Sequence, residues 1–103
     1  MKKIVALVAV IIASSAFADA TPDGPAIFKS NCAICHGPDA KGQTIVGKSQ
    51  KLRDLASAEV QKQSDQELGA IIANGKGKMP AFKAKLSGDE IKALVGFIRA
   101  LKK

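Results

Sequence analysis

Cys32-Ala33-Ile34-Cys35-His36 is the stretch that decides how this chain is read, because it holds both cysteines and the sole histidine of 103 residues. Three ordinary explanations compete for it. A disulfide between Cys32 and Cys35 would enclose two residues and constrain the unfolded chain little, so it would stabilise weakly. A structural zinc site takes four ligands from Cys and His, and the chain supplies three. A thioredoxin-like redox pair belongs in strand-helix-strand surroundings, and no alternating or β-branched run flanks the motif.

A fourth explanation uses every residue of the motif. C-x-x-C-H is the attachment sequence of a c-type haem, in which each thiol forms a thioether with one vinyl group. The two-residue gap lets both sulfurs reach neighbouring corners of the porphyrin, and His36, next to Cys35, is carried under the iron as the proximal ligand. This assigns Cys32 and Cys35 to covalent attachment and His36 to the metal. It also asks for a second axial ligand elsewhere.

Met79 is the candidate. Once the leader described below is set aside it is the one remaining methionine, in Gly75-Lys76-Gly77-Lys78-Met79-Pro80-Ala81-Phe82. A methionine on a helix face is usually packing. Here Gly75, Gly77 and Pro80 break helix and place Met79 in a loop between lysines, where a thioether free to reach iron makes more sense than a core side chain.

Working outward, residues 1–18 read as a secretory leader. Lys2 and Lys3 form a short basic start, Ile4 to Ala13 is an apolar run of ten, and Ser14-Ser15-Ala16-Phe17-Ala18 supplies small residues for cleavage. The expected cut follows Ala18, with Ala20 as the alternative. A membrane-spanning helix needs about 20 apolar residues, twice this run. Removing the leader takes Lys2 and Lys3 with it and lowers the formal net charge from +7 to +5. The remaining segment, 19–103, is one small domain. The full chain, 47% hydrophobic and 24% charged, is neither disordered nor collagen-like. Trp and Tyr are absent and Phe occurs four times, so the usual large core side chains are scarce. A domain this small often needs a cofactor to complete its core.

The layout is all-α. Asp23-Gly24-Pro25 predicts a helix start that turns Ile27 and Phe28 inward. Residues 37–50 hold Gly37, Pro38, Gly42 and Gly47 and predict a loop, and a short helix is expected near Leu55 to Gln61. Ser64-Asp65-Gln66-Glu67 and Ser87-Gly88-Asp89-Glu90 are capping boxes. The first opens a helix with Leu68, Ile71 and Ile72 on one face, ending at Asn74-Gly75. The second opens one with the stripe Ile91, Leu94, Val95, Ile98 and Leu101, and Leu86 can staple to Ile91.

With these residues in view, the mature segment resembles a small bacterial class I c-type cytochrome over nearly its whole length. The matching residues are Gly24 and Phe28 before Cys32-Ala33-Ile34-Cys35-His36-Gly37, then Gly75 to Phe82, and last Leu94-Val95-Gly96-Phe97-Ile98-Arg99. The resemblance implies a fold of three to four short helices around one covalently bound haem. It also implies that Gly24 and Phe28 meet Gly96 and Phe97 where the terminal helices cross. Two positions depart from the pattern. Phe97 stands where many relatives have Tyr or Trp. Ser49-Gln50-Lys51-Leu52 occupies the stretch where many carry a Gly-Pro segment whose carbonyl accepts the proximal histidine's N–H, which leaves the acceptor for His36 unassigned.

With His36 and Met79 filling both axial positions, no site is open to substrate, and one-electron transfer is expected rather than catalysis. The expected protein is a soluble, monomeric, periplasmic carrier without enzyme activity and without a nucleic-acid partner. The alternative is a haem enzyme or sensor in which a labile Met79 opens the sixth position to peroxide or a small gas. Lys41, Lys76, Lys78, Lys83 and Lys85 are expected to ring the exposed haem edge and to favour redox partners with acidic docking surfaces.

Overall fold

The computed structural model describes residues 21–102. The expected leader and both of its cleavage positions lie outside the described residues. The elements in chain order are α1 (Gly24–Asn31), α2 (Ala33–His36), α3 (Ile45–Ser49), α4 (Ala58–Gln61), α5 (Asp65–Asn74) and α6 (Gly88–Ala100). Helices α1, α5 and α6 carry the fold, and the other three are single turns. Among the described residues there is no strand beyond one isolated bridge, Lys76 to Met79.

Each long helix begins where its capping chemistry places it. The Asp23 carboxylate accepts from the Ala26 N–H at 3.2 Å, with Pro25 in the first turn. Ser64 and Glu67 exchange bonds of 2.9 and 3.0 Å at the start of α5, and Ser87 and Glu90 do the same at 2.9 and 3.1 Å for α6. These bonds satisfy N–H groups that a helix start otherwise leaves without partners.

The core forms where α1 and α5 pack on α6, with Phe28, Leu68, Ile72, Leu94, Val95 and Ile98 buried. At the α1–α6 crossing the Phe28 and Phe97 rings lie 4.6 Å apart. Gly24 makes this approach possible, since a Cβ there would stand 2.5 Å from the Ala93 carbonyl oxygen. Gly96 is different from expectation: it is exposed, with nothing within 4 Å of an added Cβ, and Ala93 and Phe97 form the α6 side of the contact. Ala93 and Phe97 stand one helical turn apart on the same face of α6, and Gly96 is off that face.

Arg99 ties α6 to the α4–α5 junction. Its Nε donates to Asp65 Oδ1 at 2.7 Å, one terminal nitrogen to the Gln61 carbonyl at 2.7 Å, and the other to the Gln63 carbonyl. Gln61 reinforces the joint by donating from Nε2 to the carbonyls of Leu55 and Ile98. Carbonyls left open at the end of a one-turn helix are thereby satisfied by a planar cation suited to several acceptors at once.

Candidate functional site

The motif folds as a single turn. Cys32 ends α1 and opens α2, and its carbonyl accepts from Cys35 N–H at 3.2 Å and His36 N–H at 2.9 Å. Residues 32, 35 and 36 stand at i, i+3 and i+4, so their side chains share one face of the turn. Gly37 stops it in a left-handed conformation (φ 84°) that favours glycine.

The carbonyls at the end of α2 are capped by the next segment. The Thr44 hydroxyl donates to the Cys35 carbonyl, and Gly42 N–H donates to the His36 carbonyl at 2.7 Å. Thr44 also accepts from Gly47 N–H at 2.8 Å as the N-cap of α3. A Cβ on Gly47 would meet the Gly42 carbonyl oxygen at 2.3 Å and the Cys35 carbonyl oxygen at 2.8 Å. Helix α3, within the stretch expected to be loop, is therefore held against the motif by backbone contact.

Met79 sits, as expected, outside the helices. Lys76 and Met79 exchange backbone bonds of 3.1 and 3.0 Å, closing a hairpin with Gly77 at φ 58°. The hairpin is anchored on α5: Phe82 N–H donates to the Ile72 carbonyl at 3.0 Å and Lys83 N–H to the Ala73 carbonyl at 3.1 Å. Met79 is half-buried and packs against the core.

All four sequence-selected residues, Cys32, Cys35, His36 and Met79, line one cleft of about 680 Å³. That is the size range of cofactor pockets, and its walls are mainly apolar, including Phe28, Leu68, Phe82, Leu94 and Ile98. Cys32 and Cys35 are not joined in a disulfide. Burial, with the neighbouring Cys35, pushes the Cys32 thiol up to about 11. Burial pushes the His36 imidazole below its ordinary value, keeping it neutral as a metal ligand must be. His36 Nδ1 is buried without a hydrogen-bond partner among the described residues, and the imidazole centroid lies 6.2 Å from that of Phe28. Paired thiols, a neutral imidazole and a thioether on an apolar cleft fit the donor set of a c-type haem.

Comparison with known proteins decides the family. Residues 19–98 match the family model described as cytochrome C oxidase, cbb3-type, subunit III. The chain is 37% identical to cytochrome c6 of a Nostoc species, an alignment covering 95% of this chain and 92% of that one. It belongs to the small monohaem class I c-type cytochromes. Among solved structures, the c-type cytochrome KustC0563 is 38% identical, with a TM-score of 0.73, covering 79% of this chain and 99% of that one. Cytochrome c6 of the diatom Phaeodactylum tricornutum is 29% identical, with a TM-score of 0.57, covering 75% and 87%. The cytochrome is thus an electron carrier of all-α fold whose cofactor is one covalently bound haem c.

The charged rim of the cleft differs from expectation. Of the five lysines expected there, Lys76 and Lys78 line the cleft and Lys41, Lys83 and Lys85 do not. Lys51 and Arg53 line it instead, and no Asp or Glu does. They lie in the segment after α3, whose return toward the cleft is set by the turn at its end rather than by the spacing of apolar residues.

Proposed function

We propose that this cytochrome is an exported, periplasmic one-electron carrier, with Cys32 and Cys35 as the haem thioethers and His36 and Met79 as the axial ligands. One observation supports this most directly: the two cysteines, the sole histidine and the loop methionine all reach the walls of one apolar cleft. One-electron exchange at iron is the chemistry the bound haem supplies. The chain's part is to exclude water with the apolar walls, hold His36 on the capped turn of α2 and hold Met79 on a hairpin fastened to α5. With His36 and Met79 both holding the metal, no position would be left there for a substrate, and the chain would act as a carrier rather than an enzyme.

Its partners in this reading are redox proteins with acidic docking surfaces. Ile34 (78% exposed), Ile45 (91%) and Val46 (42%) form an apolar surface on α2 and α3. Lys51, Arg53, Lys76 and Lys78 stand on the adjoining cleft. Apolar contact beside cations suits a partner that is steered by charge and released quickly. Among the described residues no helix is long and apolar enough to cross a membrane.

The test is Met79→Ala in the haem-loaded protein. Haem should stay covalently bound, while the ferric spectrum loses its long-wavelength sulfur-to-iron band and the protein gains binding of cyanide or carbon monoxide. A ferric spectrum unchanged from the parent removes Met79 as ligand. Ready carbon monoxide binding by the ferrous parent would favour a sensor or enzyme with a labile sixth position.

A further inference from the structure

Helix α3 ends in a turn with two signature bonds. Leu52 N–H donates to the Gly47 carbonyl at 2.9 Å, and Lys51 N–H to the Lys48 carbonyl at 3.3 Å. This pattern puts the residue after the cap, Lys51, in the left-handed region, at φ 55°. Glycine is the usual occupant of that position, because a side chain there is strained.

One other non-glycine residue among the described residues has a positive φ, Ala40 at 62°. Packing accounts for it: Ala40 is completely buried and its carbonyl accepts from Leu55 N–H at 2.9 Å. Lys51 has no such reason. It is exposed, and no carboxylate among the described residues lies within ion-pair distance of its ammonium. A strained non-glycine residue that packing does not explain points to a role for its side chain.

Lys51 lines the haem cleft, where the charged residues are cations: Lys51, Arg53, Lys76 and Lys78. Lys76 and Lys78 belong to the Met79 hairpin. Lys51 and Arg53 stand one residue apart on the opposite segment, and Arg53 has only a loose, exposed contact with Glu59 at 3.5 Å. Cations gathered on an apolar cleft repel one another unless the ligand brings negative charge. Haem brings two propionate carboxylates.

We infer that Lys51, assisted by Arg53, is a cofactor-binding residue that pairs with a haem propionate. The assignment rests on the proposed haem function. Propionate is thereby held at the α3 end of the cleft, and the cation also disfavours the more positive ferric state.

The experiment uses the haem-loaded cytochrome and its Lys51→Gly, Lys51→Gln and Lys51→Arg variants, with Lys92→Gln as a control away from the cleft. Covalent haem is first measured as the pyridine haemochrome. The ferric-to-ferrous ratio is then read against a redox dye at low and high salt. Lys51→Gly and Lys51→Gln should shift the ratio toward ferric by about two- to fivefold, the span of exposed ion pairs, and the shift should shrink at high salt. Lys51→Arg and Lys92→Gln should match the parent. Lys51→Gly should also resist heat better than Lys51→Gln, since it alone relieves the backbone. Equal ratios in all variants overturn the pairing while leaving the carrier function intact. A parent that takes up no haem overturns the function itself, and with it this assignment.

Discussion

Two glycines of α1 and α6 should respond to the same substitution with opposite sign. Gly24→Ala puts a Cβ 2.5 Å from the Ala93 carbonyl oxygen and 3.2 Å from Phe97 Cβ. The first distance is well inside contact, and its partner is backbone in the middle of α6, so the helices must separate. Overpacking of this kind costs about 1–3 kcal/mol. Separation also loosens the Phe28–Phe97 pair, a contact type contributing about 0.5–1.5 kcal/mol. The gain in helix propensity from Gly to Ala is at most about 1 kcal/mol, so the net expectation is a loss of about 1–3 kcal/mol. For a domain of this size, each kcal/mol lowers Tm by about 4–8 °C. Gly96→Ala meets nothing within 4 Å and should stabilise by about 0.5–1 kcal/mol through propensity alone. Urea titration of the haem-loaded protein, followed by far-UV circular dichroism, measures both. A Gly24→Ala variant as stable as the parent would show that the terminal helices are not held at the distance described.

Two further perturbations address charge. Lys76→Glu with Lys78→Glu should slow electron exchange with an acidic redox partner and flatten its dependence on salt, measured by stopped flow; an unchanged salt slope removes these lysines from docking. The Glu67 carboxyl is held below the ordinary glutamate range by its bonds with the Ser64 backbone and side chain. Its folded-state value is therefore the lower one, so its contribution is present above the ordinary glutamate range and fades as pH falls through the folded value. Glu67→Gln should flatten the acid side of the stability–pH curve in urea titrations, and an unaltered curve would show that the capping box holds without the charge.

Much of the site was legible because its parts are local in sequence. The spacing of Cys32, Cys35 and His36 works within one helical turn, and Met79 stood out because its neighbours break helix. The capping boxes placed α5 and α6 for the same reason, as both bonds close within four residues. What escaped was set by contacts distant in sequence. Helix α3 was read as loop because Gly47 weakens helical propensity, yet that glycine is where the backbone lies against Gly42 and Cys35. Thr44, a ready N-cap, was the available signal. Gly96 was expected at the helix crossing from resemblance, and the register of α6 turns it to solvent. Lys51 and Arg53 were not among the cations singled out from the sequence, since nothing in a linear pattern tells which end of a turn faces a cleft.

The Met79 loop shows how the fold divides its labour. A glycine-rich loop can rearrange at small local cost, which would favour a labile ligand. Gly75, however, lies directly under the hairpin, where a Cβ would stand 2.5 Å from the Met79 carbonyl oxygen. The N–H groups of Phe82 and Lys83 fill the last-turn carbonyls of α5 at Ile72 and Ala73, so releasing the segment after Met79 would leave those carbonyls open. Freedom is confined to the tip, where Gly77 has nothing within 4 Å and Lys78 is exposed. On the proposed reading, Lys78 can therefore move to meet a partner without loosening the backbone that carries the thioether. A carrier needs that separation, because its iron should keep its ligands while its surface forms and breaks encounters.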